Sequence, residues 1–157
     1  MPNPEELTQY HQYYAIECNN KAWDLAAKDR TPDEDRLLLD LAHAASYHWN
    51  EVGTDLQKMR ALMLVAHAHA ELGIGGTALD YAKRASAYFT SHETEPWELA
   101  FTHMIHAQAA YAAGEMDQHS EIYHVAEKIV NAMPEGEDKR IVNATFVRIP
   151  QASDEIK

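Results

Sequence analysis

Residues 63–85 read MLVAHAHAELGIGGTALDYAKRA: an alanine-spaced run, a glycine break, and a second alanine-spaced run. Leu, Ala, Met and Glu lose little side-chain freedom in a helix. Gly73 supplies a left-handed stop that ends a helix at low cost. The stretch therefore reads as two helices joined by a tight turn. Working outward, every proline and glycine of the chain falls at a few boundaries, leaving six uninterrupted helix-forming stretches. Start signals agree: Asn3-Pro4-Glu5-Glu6 and Thr31-Pro32-Asp33-Glu34 each set a capping side chain before a proline, with Glu three residues on. Thr54, Thr77 and Thr94 are candidate caps for later helices. The spacing predicts helices over 4–29, 32–51, 55–72, 78–91, 95–113 and 115–133, and the short connections make neighbours antiparallel hairpins. Residues 138–149 carry Ile141, Val142, Thr145, Phe146 and Ile149, which fit a helical face or a short strand. The expected architecture is one all-α domain over 1–150, with 151–157 as a frayed tail.

The same stretch recurs. A shift of 40 lays Leu39-Asp40-x-Ala42-x-x-Ala45-Ser46-x-x-Trp49 onto Leu79-Asp80-x-Ala82-x-x-Ala85-Ser86-x-x-Phe89. A shift of 41 lays Met63-Leu64-x-Ala66-x-Ala68 and Gly73 onto Met104-Ile105-x-Ala107-x-Ala109 and Gly114. Hairpins recurring every 40 or so residues are the signature of an α-solenoid. Small residues on facing helices let the backbones approach closely, so enlarging Ala45 or Ala85 to Leu is expected to overpack a hairpin by about 1–3 kcal/mol.

On these residues the chain resembles the tetratricopeptide repeat (TPR) family. Ala66, Gly73, Ala78 and Ala85 occupy the family's small-residue positions in the middle unit. Ala107, Gly114 and Ala126 do so in the last, with His119 in place of an alanine. The first unit matches through Ala26, Ala42 and Ala45. The period exceeds the family's usual 34, and the customary tryptophan and most end-of-repeat prolines are missing. The resemblance, over roughly residues 20–133, implies an α-α superhelix of about three antiparallel hairpins with a C-terminal capping segment. It also implies a concave groove lined by the first helix of each hairpin: Trp23, then Arg60, Met63 and His67, then Phe101, Met104, Gln108 and Tyr111. Aromatic, Met and Arg side chains suit a binding groove because they bury large areas and adapt. The implied function is a non-enzymatic module holding a peptide or protein partner. The family's carboxylate clamp is missing apart from Arg60. Alternatives are a small-molecule or metal-binding helical protein using His, Tyr and Trp residues, and a structural homo-oligomer such as a homodimer.

Composition narrows the rest. The 157 residues carry a formal charge of −12, which argues against nucleic acid, whose binding rests on Lys and Arg. Charge is uneven: residues 1–53 hold 10 acidic and 4 basic groups, 54–94 hold 4 of each, and 95–134 hold 6 and 1. No run of 18 apolar residues exists to span a membrane. The start, MPNPEELTQY, lacks the basic and apolar regions of a secretory signal, and a lone Cys18 fits a reducing compartment, so a cytoplasmic protein is expected.

Ten histidines are the one oddity. A helical metal pair needs a spacing of three or four, and only His103 and His106 have it. The repeat register turns them toward the partner helix, so they read as packing residues, and no metal or cofactor is expected. Cys18 lies among Glu17, Asn19 and Asn20 with no neighbouring cation to stabilise a thiolate. No catalytic residue is expected.

Overall fold

The computed structural model describes residues 1–152. They form seven helices with no strand among them: α1 (Pro4–Ala26), α2 (Pro32–Val52), α3 (Asp55–Glu71), α4 (Gly75–Thr90), α5 (Pro96–Ala112), α6 (Met116–Ala132) and α7 (Glu137–Phe146). The ambiguity over 138–149 resolves as helix through Phe146, followed by a turn. Of the expected tail, residues 153–157 lie outside the described residues.

The proline-led starts work as the sequence indicates. Asn3 with Glu6, and Thr31 with Glu34, form reciprocal capping boxes, and Thr54 with Gln57 forms a third. The other two threonines differ from expectation. Thr77 lies inside α4, which begins at Gly75 rather than residue 78. Thr94 Oγ1 donates to the Phe89 carbonyl at 2.7 Å, closing the end of α4 instead of opening α5. Gly75 is helical where a loop was expected because its neighbourhood demands the smallest residue. A Cβ there would collide with the backbone of Ala112 and Ala113, where α5 ends. The start of α4 thus rests directly on the turn after α5.

Consecutive helices pack as the hairpins α1–α2, α3–α4 and α5–α6, and the inner helices also touch, α1 to α3 and α3 to α5. The result is a superhelix-like stack. Its interior follows the alanine pattern: Ala42, Ala45, Ala66, Ala68, Ala82, Ala85, Ala107 and Ala109 are all buried. Larger side chains fill the volume between, Leu38, Leu64 and Val65 in the first hairpin junction and Phe89 and Ile105 in the second.

The second and third hairpins repeat each other's turns. Gly73 and Gly114 both have positive φ, 73° and 78°. The Ile74 amide bonds the His69 carbonyl and the Glu115 amide bonds the Ala110 carbonyl, each at 2.9 Å. His119 occupies the place of Ala78, and its extra volume is accommodated by a bond from Nδ1 to the Ala107 carbonyl at 2.9 Å.

Helix α7 breaks the pattern. It has no partner helix of its own and packs on α5 and α6 through Val142, Phe146 and Ile149. Phe146 stacks on Tyr123 with ring centroids 5.1 Å apart. Just beyond the helix, Arg148 reaches Glu71 at the end of α3 (3.4 Å) and the Lys28 carbonyl at the α1–α2 turn (3.5 Å). Glu71, 10% exposed, also faces Arg30 at 3.5 Å. Arg30 in turn caps the end of α1 through the carbonyls of Leu25 and Ala26, and bonds Asp35. One carboxylate therefore ties the first turn, the third helix and the C-terminal segment together.

Candidate functional site

The inner helices α1, α3 and α5, with α7 across from α1, enclose a cavity of about 460 Å³. Trp23 comes from α1, Met63 from α3, Trp97 and Phe101 from α5, and Ile141 from α7. Phe101 sits at the centre of this wall, edge-on to Trp23 at 5.7 Å and to Trp97 at 6.4 Å. A smaller recess of about 240 Å³ continues past Phe101 and Trp97 to Asp138.

Two charged side chains lie in this apolar frame and engage each other. Arg60 Nε donates to Glu98 Oε2 at 2.6 Å and an Nη donates to Oε1 at 3.0 Å, a fork-to-fork pair between α3 and α5. The guanidinium also lies 5.5 Å from the centre of the Trp97 ring. Glu98 is buried, so the pair fixes the side chains of both helices at the cavity edge. Asp24 and Asp138 at the rim form no ion pair among the described residues. With Arg60 neutralised by Glu98, the rim is left net acidic.

The expected stripe of groove residues divides between this cavity and the core. Trp23, Arg60, Met63 and Phe101 come together in the cavity. Met63, His67, Met104 and Gln108 are buried, which corrects the expectation of one concave groove lined by all eight residues. Met104, 0% exposed, belongs to the core under α6 and α7. His67 Nδ1 donates to Gln108 Oε1 at 2.7 Å, joining α3 to α5, and its ring stacks on Trp23 at 5.1 Å. Burial pushes the pKa of His67 down, against the upward pull of Glu71, so the ring is a neutral packing element. Tyr111, 44% exposed, lies at the far end of α5 against His119, away from the cavity. The physical reason is that α3 and α5 pack on each other, burying His67 and Gln108 between them, while α6 and α7 cover Met104. Sequence reasoning did not identify Trp97, Glu98 and Ile141 as cavity residues. A signal for Glu98 was present, since it lies one helical turn before Phe101, the residue that the 41-residue shift lays on Arg60.

The histidine pair at 103 and 106 is half-buried on α5. Burial, then the proximity of His103 and Lys83, pushes His106 down to about 4, and burial lowers His103. His106 Nε2 has no hydrogen-bond partner among the described residues. Among those residues no group of three or more His, Cys, Asp and Glu side chains could hold a metal. Burial raises the pKa of the Cys18 thiol, with Glu17 adding to the effect, so the thiol stays protonated at neutral pH. No described helix is long and apolar enough to cross a membrane. Comparison with family models, curated proteins and solved structures finds no match for this chain.

Proposed function

We propose that this chain is a TPR-like, cytoplasmic, non-enzymatic interaction module that binds a peptide or protein partner in the groove between its inner helices. The observation that carries the reading is the aromatic cavity of Trp23, Trp97 and Phe101, open at a surface whose uncompensated charges, Asp24 and Asp138, are acidic. Such a site favours a segment that inserts one large apolar side chain and flanks it with Lys or Arg. The buried apolar anchor supplies affinity, and the basic flanks meet the rim and the overall charge of −12. The non-enzymatic reading rests on chemistry at the same site, where Arg60 and Glu98 satisfy each other instead of facing a reacting group.

The test is selection of binders from a displayed random peptide library against the purified chain, followed by affinity measurements on variants. Peptides with a basic-flanked apolar residue are expected, with binding weakened at least about fivefold by Phe101→Ala, the effect of losing one hot-spot contact. Peptides that bind Phe101→Ala and Trp23→Ala as well as the parent chain would refute the groove as the site.

A further inference from the structure

Away from the groove, the first hairpin holds a side-chain cluster that the sequence spacing conceals. His11 on α1 and His48 on α2 are 37 residues apart in the chain, yet their Nδ1 atoms lie 2.8 Å apart. Tyrosines surround them: Tyr47 lies 5.9 Å from His11 and 5.2 Å from His48, and Tyr14 lies 5.7 Å from His48. Both imidazoles are half-buried and held by ring packing, with Tyr14 and Tyr47 themselves largely exposed. The pair sits where α1 has little else to hold it, since no residue of α1 before Ala15 is buried.

We propose that His11 and His48 form a two-imidazole site for a late first-row divalent metal ion of square-planar preference, Cu²⁺ foremost, with water completing the coordination. Geometry selects the class. With metal–nitrogen bonds of about 2.0 Å, two ligands cis in a square plane are about 2.8–2.9 Å apart, whereas tetrahedral ligands are about 3.3–3.4 Å apart. The observed 2.8 Å is an N–H···N hydrogen bond in the metal-free pair; it already holds the two nitrogens at the first spacing, so the rings need only turn both Nδ1 atoms toward a common point. Imidazole nitrogen suits Cu²⁺ and Ni²⁺, and Cu²⁺ stands highest in the affinity order for such ligands. In the metal-free pair one Nδ1 donates its proton to the other. On metal binding that ring carries its proton on Nε2 instead, both Nδ1 lone pairs point at the ion, and no net proton is released. The bound ion would clamp the first half of α1 to the end of α2.

The test uses full-length protein without a histidine tag, titrated with Cu²⁺, Ni²⁺ and Zn²⁺ separately. One strong Cu²⁺ equivalent per chain is expected, with an electron paramagnetic resonance signal split by two equivalent nitrogens. His11→Gln and His48→Gln should each weaken it at least about tenfold, consistent with loss of one of two protein ligands. Circular dichroism of both variants should match the parent, because neither side chain belongs to the core clusters. His103→Gln, which leaves the pair intact, should bind as the parent does. Copper binding unchanged in both variants, or an affinity for Zn²⁺ above that for Cu²⁺, would overturn the proposal. Because Phe101 lies outside this site, peptide binding and copper binding fail independently.

Discussion

Gly75 and Gly76 are neighbours in the first turn of α4, yet alanine at the two positions should shift stability in opposite directions. At Gly76 a Cβ meets nothing within 4 Å. The φ there is not positive, so replacing a helical glycine with alanine should stabilise by about 0.5–1 kcal/mol. At Gly75 the added carbon runs into the carbonyl of Ala112 and the amide of Ala113, which are backbone atoms that cannot rotate aside. Relief requires α4 to move off α5. The buried face of α4 (Ala78, Leu79, Ala82, Ala85, Phe89) shares one cluster with Ile105, Ala109 and Ala110, and a gap of even 0.5–1 Å forfeits about a quarter to a half of each contact's attraction. The cost should reach the upper end of ordinary overpacking, about 3 kcal/mol, which for a domain of this length lowers the melting temperature by roughly 6–12 °C. Urea denaturation followed by circular dichroism measures both variants against the parent. If Gly75→Ala falls within about 0.5 kcal/mol of Gly76→Ala, the close approach of α4 to the turn after α5 is wrong, and the stacking of the last two hairpins with it.

Glu71→Gln should destabilise by about 1–2 kcal/mol: Arg30 keeps its bond to Asp35, but the charge-assisted contacts of Glu71 to Arg30 and Arg148 become neutral ones. The same change at the half-exposed Glu17, which pairs with Lys21 along its own helix, should move the urea midpoint little. Acid should destabilise the fold between about pH 6.5 and 4. His43, His48, His67, His103 and His106 all have depressed pKa values when folded, so as pH falls through about 6.5 the unfolded chain takes up protons that the folded chain does not. His106, lowered to about 4, should account for about 1–2 kcal/mol of that loss after allowance for its partial exposure. Urea titrations at pH 7 and 4.5 on the parent and His106→Phe separate its share, and an equal pH dependence in the two would contradict it.

Local signals carried most of the fold. Capping boxes at Asn3, Thr31 and Thr54 and glycine stops at Gly73 and Gly114 are satisfied within a few residues, so their chemistry can be read from adjacent letters. The start of α4 could not be read in this way, because the reason for Gly75 lies in the backbone of Ala112, in another hairpin. The candidate site divides along the same line. The repeat register places Trp23, Arg60, Met63 and Phe101 in one groove, and those four share the cavity. It is blind to α7, which has no counterpart in the repeat and supplies the wall carrying Ile141. His11 and His48 escape any search for close spacing because the hairpin, not the helix, brings them together.

The reach of Arg148 back to the Lys28 carbonyl spans 120 residues of chain. In an open solenoid each unit meets only its neighbours, so ends fray independently and unfolding can proceed one hairpin at a time. Here the last segment is tethered to the first turn, and the array becomes a closed ring of dependencies. Closing a loop of 120 residues costs about 1 kcal/mol more in chain entropy than closing one of 41, the distance between neighbouring units. That difference favours forming the tether after the stack has brought its two ends together. Once made, it couples the first hairpin to the last, so that loosening at one end is felt at the other.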